Sequence, residues 1–349
     1  LEIGEEIDGE IRKMGLLENN VVLGTSLVDM YAKFGVMWKA RQVFDEIPAR
    51  NVITWNALIS GYVHHGLSNE AIMCFEHMKD EGSSPNVVTF SCVLKACGNT
   101  RSLETGENIH AEVNKQGLLR DENIILGTAI VDMYAKCGVL GKAREVFDEL
   151  PKRNIVSWNA LIAGYAQHGC SHEALKCFEL MQDQGFVPNA ITFSCILKVC
   201  GSIGSIAVGE RIHEEANKQG LLEENVVLGT ALLDMYAKCG VLVKAREVFE
   251  KLPRRNVVSW TALIAGYTQH GYGDEALNCF KRMIDEGLSP NTVTFISILK
   301  ACSSVASLKM GEEIHGEVKK KGLLGDMVLG TALVDMYAKC GVLIKAQEV

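Results

Sequence analysis

The sequence predicts an all-α solenoid in which similar helical hairpins stack side by side. Internal repetition is the first reason, because repeats at a fixed period indicate a stacked array. The segment Met-Tyr-Ala-Lys recurs at intervals of 101 to 103 residues, starting at Met30, Met133, Met235 and Met336. Two other segments share this spacing: Trp-x-Ala-Leu-Ile from Trp55, Trp158 and Trp260, and Thr-Phe at Phe90, Phe193 and Phe295. Each period therefore contains three related units.

We expect the whole chain, 1–349, to form a single array of short, Trp-containing and long units. The short units are 21–51, 124–154 and 226–256, with a partial one at 327–349. The Trp-containing units are 52–86, 155–189 and 257–291. The long units are 87–123, 190–225 and 292–326, with a partial one at 1–20. Because the sequence starts at Leu1 and stops inside a unit, we expect a fragment of a longer protein.

The second reason is that each unit has the pattern of two helices. In 226–256, Leu228 and Leu232 belong to an apolar stripe on one helical face. Gly240 follows, a residue that can adopt the left-handed conformation that ends helices. A second apolar stripe then runs up to Pro253, which stops it. One hairpin cannot bury both stripes alone, so neighbours must stack, and stacking is expected to create a long concave face.

The composition fits an ordered protein but argues against a simple nucleic-acid binder. The chain is 48% apolar and 22% charged, and no apolar run is long enough to cross a bilayer. Its net charge is −8, whereas a nucleic-acid binder usually presents a basic face. The 12 cysteines include no C-x-x-C pair. We expect them to be buried free thiols in a reducing compartment.

The sequence contains no complete catalytic or cofactor motif. The triplets His110–Glu112, His213–Glu215 and His315–Glu317 match half of the zinc deaminase signature. The other half, P-C-x-x-C, is absent, and the triplets recur at one place in successive long units. We find no phosphate-binding glycine loop and no nucleophile elbow. We therefore expect no enzyme activity, catalytic residue, metal or cofactor, and no membrane or small-molecule partner.

The unit lengths and motifs distinguish between two helical repeat families. Tetratricopeptide repeats have the pattern W-x-x-L-G-x-x-Y at a fixed period. Trp158, Leu161 and Tyr165 fit this pattern, but Ile162 stands where glycine belongs, and the unit length varies between 31 and 37 residues. The alternation instead resembles the plant P-L-S class of pentatricopeptide repeat proteins, over the whole chain.

Each unit type resembles one repeat type of that class. The Trp-containing units resemble P repeats, with Val156 to Ile162 and Pro188-Asn189 as the matching residues. The long units resemble L repeats, as in Thr192-Phe193, Leu197-Lys198 and Ile212-His213. The short units resemble S repeats, as in Asp234 to Gly240 and Val248-Phe249.

The resemblance implies a right-handed superhelix that binds single-stranded RNA, one base per repeat. Proteins recognise RNA sequence mainly on unstacked bases, gripped on their faces and read at their edges. In this family the second residue of each unit wedges between bases, and here it is always β-branched and apolar. These ten residues are Val22, Ile53, Val88, Ile125, Val156, Ile191, Val227, Val258, Val293 and Val328.

The resemblance also implies base-reading and phosphate-contacting residues. The fifth residue reads the base edge: Thr25, Asn56, Ser91, Thr128, Asn159, Ser194, Thr230, Thr261, Ile296 and Thr331. The last residue assists it: Asn51, Asn86, Asn123, Asn154, Asn189, Asn225, Asn256, Asn291 and Asp326. The thirteenth residue of each short unit contacts phosphate: Lys33, Lys136, Lys238 and Lys339. With acidic residues such as Glu247 turned outward, the groove would then differ in charge from the molecule as a whole.

Plainer interpretations exist for each set. The β-branched residues could be core, the Thr and Asn residues could be helix caps, and the lysines could be solvated surface residues. For the whole chain, the alternative is a protein-binding solenoid scaffold.

Members of the family use the same mode of RNA binding in C-to-U editing, in transcript stability and in splicing. Editing factors of the class act in mitochondria or chloroplasts, and their L repeats contact organelle multiple-site editing cofactor proteins. The resemblance therefore implies those locations and partners.

Overall fold

The computed structural model describes residues 1–17, 20–119, 123–223 and 225–349. Within these ranges it contains 21 helices and no strand, in two compact bodies, Leu1–Val187 and Pro188–Val349. The first body contains α1 (Glu2–Lys13), α2 (Val21–Lys33), α3 (Met37–Glu46), α4 (Val52–His64), α5 (Ser68–Asp80), α6 (Val87–Thr100), α7 (Leu103–Lys115), α8 (Ile124–Lys136), α9 (Leu140–Glu149), α10 (Ile155–Gln167) and α11 (Ser171–Asp183). The prediction of an all-α fold of stacked helical hairpins is confirmed.

The second body repeats the same pattern. It contains α12 (Ala190–Ile203), α13 (Ile206–Lys218), α14 (Val226–Lys238), α15 (Leu242–Lys251), α16 (Val257–Gln269), α17 (Gly273–Asp285), α18 (Thr292–Ser304), α19 (Leu308–Lys320), α20 (Met327–Lys339) and α21 (Leu343–Glu348). The even-numbered helices from α2 onward begin where the predicted units begin. The predicted long units 1–20, 87–123 and 190–225 include residues 18–19, 120–122 and 224, which lie outside the described residues. The assignment of units to S, P and L types stays a prediction.

In each body the even-numbered helices pack against one another in sequence order and form one layer. Thus α2, α4, α6, α8 and α10 are successive neighbours in the first body, as are α12, α14, α16, α18 and α20 in the second. The odd-numbered helices α3, α5, α7 and α9 in the first body, and α13, α15, α17 and α19 in the second, each pack against the helix before and the helix after, and form a second layer. Side chains at equivalent positions of the even-numbered helices are therefore repeated once per hairpin along one face of the first layer.

Aromatic contacts join each short hairpin to the next one. Phe147 on α9 meets Trp158 on α10 edge to face, with ring centroids 4.6 Å apart. The guanidinium of Arg153 lies over the Phe147 ring, 4.9 Å from its centroid, and donates to the carbonyl oxygens of Phe147 and Asp148 at the end of α9. Trp158 and Phe147 are both almost fully buried. Edge-to-face pairs and cation–π contacts of this kind add to the burial of apolar area.

Candidate nucleic-acid interface

The second residues of the units form a row of exposed aliphatic side chains, which we call the aliphatic row. All ten lie in the first turn of an even-numbered helix and are between 53% and 75% exposed. The interpretation of these residues as core is therefore wrong. Isolated surface aliphatics are common, but here the same helix position is exposed in every hairpin of both bodies.

The last residues of the units are N-cap residues of the helices that follow them. Asn86, for example, accepts a hydrogen bond from the Thr89 backbone N–H at 3.1 Å, and Thr89 Oγ1 accepts in return from the Asn86 backbone N–H. The capping interpretation is thus correct for this position, although the Asn123 side chain makes no capping bond. Capping uses the side-chain oxygen, whereas an asparagine also carries an amide group with two donors. Capping and base reading are therefore compatible.

The fifth residues are not caps, because they lie one turn inside the even-numbered helices. Most of them are also less exposed to solvent than expected for side chains that line an open groove. Thr128, Asn159 and Thr261 are buried, with exposed fractions of 7–8%, and most of the others are half-buried. Only the edge of a base could reach such a side chain.

The reading residues contact the beginning of the next even-numbered helix. Asn56 Nδ2 donates to Asn86 Oδ1 at 3.1 Å, and Thr89 Oγ1 donates to Asn56 Oδ1 at 2.6 Å. In the unit 52–86 the fifth residue and the last residue are therefore direct neighbours. This geometry brings together the two residues that the sequence analysis paired.

The four lysines of the short units are each ion-paired within their own helix. The ammonium of Lys238 lies 2.7 Å from the Asp234 carboxylate, and the other three lysines pair with an aspartate in the same way. Their side chains are between 32% and 75% exposed, which fits the interpretation of solvated surface lysines, and contact with phosphate stays a prediction. Because each pair is electrically neutral, the lysines add less positive charge to this surface than their number suggests. The sequence already carried this signal, since aspartate precedes each lysine by four residues.

The three H-x-E triplets have a structural explanation. His213 Nδ1 lies 3.0 Å from the Tyr236 hydroxyl oxygen, and the His110–Tyr134 and His315–Tyr337 pairs are similar, at 3.0 Å and 2.9 Å. Burial lowers the pKa of each of these histidines. Among the described residues no cluster of three or more His, Cys, Asp or Glu side chains is placed to hold a metal ion.

The cysteines are free, but only half of them are buried. Six are buried and six are half-buried, which corrects the expectation of uniform burial. Burial raises the pKa of the Cys97 and Cys302 thiols to about 12. Such thiols stay protonated at neutral pH and pack as small apolar groups.

None of the helices within the described ranges is long and apolar enough to span a bilayer.

Sequence reasoning missed one set of residues beside the reading pairs. The third residue of each unit lies in the first turn of an even-numbered helix, and Thr54, Thr89 and Thr294 at this position are hydrogen-bonded to the reading residue of the unit before. The alternation of Thr, Ser and Leu at this position was visible in the sequence. Its meaning depends on how consecutive helices face each other, which the sequence alone does not show.

Family models match most of the predicted units. The PPR repeat family matches residues 50–99, 153–202 and 255–304. A second PPR repeat model matches 25–52, 128–155 and 230–257, and a pentatricopeptide repeat domain model matches 287–340.

Curated relatives from Arabidopsis thaliana match the chain from end to end. One, named a chloroplastic pentatricopeptide repeat-containing protein, is 38% identical over 100% of this chain and 56% of its own length. Another, named mitochondrial, is 37% identical over 98% of this chain and 49% of its own length. The chain thus spans about half the length of these relatives.

Among solved structures, the fold is similar to that of the pentatricopeptide repeat protein PPR10 in complex with an 18-nt psaJ RNA element. The TM-score is 0.64 at 19% identity, covering 98% of this chain and 55% of that one. A further structure, of PPR10 from maize, gives a TM-score of 0.51 at 20% identity, over 92% of this chain and 52% of that one. At this identity the likeness shows a shared α-solenoid fold. Together with the family models and the relatives, it shows that this chain belongs to the pentatricopeptide repeat family.

Proposed function

We propose that this chain binds single-stranded RNA sequence-specifically, with one base facing each unit. The observation that carries the proposal is the aliphatic row. A β-branched side chain exposed once per hairpin is costly to leave in water, and a stack of separated flat bases would cover both sides of each one. In single-stranded RNA the faces of the bases can be contacted by side chains, while the base edges stay free for hydrogen bonding.

The reading pairs give the proposal its sequence specificity. In the unit 52–86, for example, the half-buried fifth residue Asn56 adjoins the last residue Asn86. By resemblance to the family, Thr with Asn favours adenine and Asn with Asn favours a pyrimidine. The RNA is expected to run parallel to the chain, with its 5′ end at the unit 21–51.

The lysines of the short units are proposed to contact phosphate by exchanging partners. A phosphate that approached Lys238 would compete with Asp234 for the ammonium, so net attraction is small until the ion pair opens. The substitution Asp234→Asn should therefore strengthen RNA binding, and Lys238→Gln should weaken it and make it less dependent on salt. The matched control substitution Lys244→Gln, on the second-layer helix α15, should change neither the affinity for RNA nor its dependence on salt.

The cellular role is inferred from the relatives. Since curated relatives are named chloroplastic or mitochondrial, we propose that this chain acts in one of those organelles. The alternation of unit lengths supports the P-L-S class, and with it a role as targeting module of a C-to-U editing or RNA-processing factor. The L units would then also offer a surface to editing cofactor proteins.

Binding to matched nucleic acids tests the proposal. The purified chain should bind single-stranded RNA that carries the proposed sequence more tightly than its scrambled version, the same RNA in a duplex, or an unrelated acidic polymer such as heparin. Equal binding to all four would contradict RNA recognition and favour adventitious binding of polyanions. Absence of binding to every RNA would favour the protein scaffold.

A further inference from the structure

Thr54 connects the two reading residues of the unit before it. Its hydroxyl oxygen lies 2.7 Å from the hydroxyl oxygen of Thr25 and donates to Asn51 Oδ1 at 3.2 Å. Thr25 and Asn51 are the fifth and last residues of unit 21–51. Thr54 is the third residue of the next unit, at the start of α4, and is fully buried.

Two other threonines at the same position make the same connection. Thr89 Oγ1 lies within hydrogen-bond distance of Asn56 Oδ1, at 2.6 Å, and of Asn86 Oδ1, at 3.1 Å. Thr294 Oγ1 lies 2.7 Å from Thr261 Oγ1 and 2.9 Å from Asn291 Oδ1. The connection thus recurs in both bodies of the chain.

Serine at this position behaves differently. Ser157 donates to the Asn154 carbonyl oxygen at 2.8 Å, and Ser259 donates to the Asn256 carbonyl oxygen at 2.9 Å. The hydroxyls of Thr128 and Thr230, the reading residues before them, are buried and have no hydrogen-bond partner within the described ranges. A serine lacks the methyl group that limits how threonine can turn its hydroxyl in a helix, and here it turns back onto the cap.

In the short units, leucine occupies this position and offers no hydroxyl. These residues are Leu23, Leu126, Leu228 and Leu329, each following a long unit or its expected remnant. The Ser91 hydroxyl, which precedes Leu126, is also buried without a partner among the residues that the structure describes. The Ser194 hydroxyl, which precedes Leu228, instead donates to the Ala190 carbonyl oxygen at 2.7 Å. Among the threonine reading residues that precede another unit, Thr25, Thr128, Thr230 and Thr261, the state of the hydroxyl follows the identity of the third residue in the next unit.

We propose that this third residue is a positioning residue, which determines whether the preceding reading residue offers a donor or only an acceptor to its base. The proposal rests on the RNA-binding function proposed above. A hydroxyl has one proton and two lone pairs. Thr261 can place its proton on the Val257 carbonyl oxygen, at 2.6 Å, or on Thr294. Either choice leaves only lone pairs for the base.

An acceptor-only hydroxyl that faces the exocyclic group of a base selects an amino group, such as that of adenine, over a carbonyl group, such as O4 of uracil. An unpartnered hydroxyl can donate as well as accept, so it also tolerates a carbonyl edge such as that of uracil. Units 21–51 and 124–154 carry the same reading pair, Thr with Asn, but are followed by Thr54 and Ser157. The unit before Thr54 should therefore discriminate adenine from uracil more sharply than the unit before Ser157.

Reciprocal substitutions of the full chain test this inference. Affinity would be measured for RNAs that differ only by adenine or uracil at the first or the fourth nucleotide of the proposed register. Thr54→Ser should reduce the adenine-to-uracil preference at the first nucleotide by about three- to ten-fold, the size of one neutral hydrogen bond. Ser157→Thr should increase the preference at the fourth nucleotide by a similar factor. Each variant should leave the other nucleotide unchanged, and thermal unfolding would confirm that both variants fold.

The outcomes separate this inference from the proposed function. If the wild-type chain discriminates bases but neither substitution changes a preference, the positioning role is wrong and RNA reading stands. A uniform loss of affinity at all nucleotides would mean that the third residue acts only on stability, which also overturns the inference. If the wild-type chain shows no base preference anywhere, both proposals fail.

Discussion

The hydroxyl of Thr261 is hydrogen-bonded to the hydroxyl of Thr294, with the two oxygens 2.7 Å apart. Asn56, at the same place in an earlier unit, instead donates to Asn86 and accepts from Thr89. Two reading residues of different type are thus accommodated by the same surroundings, an asparagine cap and a threonine. The third Trp-containing unit differs from the first at the fifth position while keeping the same partners, so a single exchange can convert one arrangement into the other.

We expect Thr261→Asn to move the preference at the eighth nucleotide from adenine to a pyrimidine. Misreading one base should cost about 1–3 kcal/mol, by analogy with other base contacts. The free energy of unfolding should change little, because Asn56 shows that these surroundings accept an asparagine. Binding to RNAs that differ only at that nucleotide measures the effect. Continued preference for adenine, with an intact fold, would mean that the fifth residue does not read bases.

The close approach of α8 and α10 gives a prediction for stability. A Cβ atom added to Gly164 would lie 2.5 Å from Ala135 Cβ and 3.2 Å from Ala135 Cα, which is backbone that cannot move aside easily. Gly164→Ala should therefore lower the free energy of unfolding by about 1–3 kcal/mol, as overpacking does. Chemical denaturation followed by circular dichroism measures it.

Gly141 on α9 provides the matched control. Apart from its chain neighbours and the backbone of its own helix, no heavy atom lies within 4 Å of the Cβ that would be added there. Gly141→Ala should be neutral or stabilising by up to about 1 kcal/mol, because alanine favours the helix. Equal effects of the two substitutions would show that the two helices are not in close contact.

Much of the fold was predictable, because the residues that indicate the helices of a repeat lie within that repeat. The apolar stripes, Gly240 and Pro253 lie within one unit and predict the helices of 226–256 from neighbouring residues alone. The exposure of the aliphatic row and the burial of Thr261 were not predictable, because both depend on how one even-numbered helix packs against the next. The role of Thr294 was not predictable either, because its hydrogen-bond partner Thr261 lies one unit earlier in the chain.

Stability should fall between neutral and mildly acidic pH. His110, His213 and His315 lie beside buried tyrosine hydroxyls, and burial lowers the pKa of each histidine. Protonation therefore favours the unfolded chain, in which the pKa is higher. The stabilisation is fully present above the ordinary histidine pKa, and it is lost as the pH falls through the lower pKa values of the folded state.

Replacing these histidines tests this prediction. The denaturation midpoint of the triple variant His110→Gln, His213→Gln and His315→Gln should depend less on pH between 7 and 5 than that of the wild type. His64→Gln, at an exposed position on α4, serves as control and should keep the wild-type dependence. The same pH dependence in the triple variant and the wild type would show that other groups cause it.

The aliphatic row should contribute to affinity without contributing to stability. Val156 is 57% exposed at the start of α10, so Val156→Ala should leave the unfolding midpoint nearly unchanged. If the side chain packs against bases, the same substitution should weaken binding of all RNAs by a similar factor. Val243→Ala on α15, where the valine is 73% exposed, removes the same atoms from the other layer and should not affect binding. Equal losses from both variants would argue against a specific role for Val156.

Selection of bound sequences from a random single-stranded RNA pool tests the central claim most directly. The reading pairs from the unit 21–51 onward predict adenine, pyrimidine, weak adenine, adenine, pyrimidine, weak adenine, adenine and adenine. The last long unit carries Ile296, which cannot bond to a base edge, and should show no preference. Enrichment of this pattern, in this order from the 5′ end, is the predicted result. Enrichment of guanine-rich sequences, or of no sequence at all, would contradict the account.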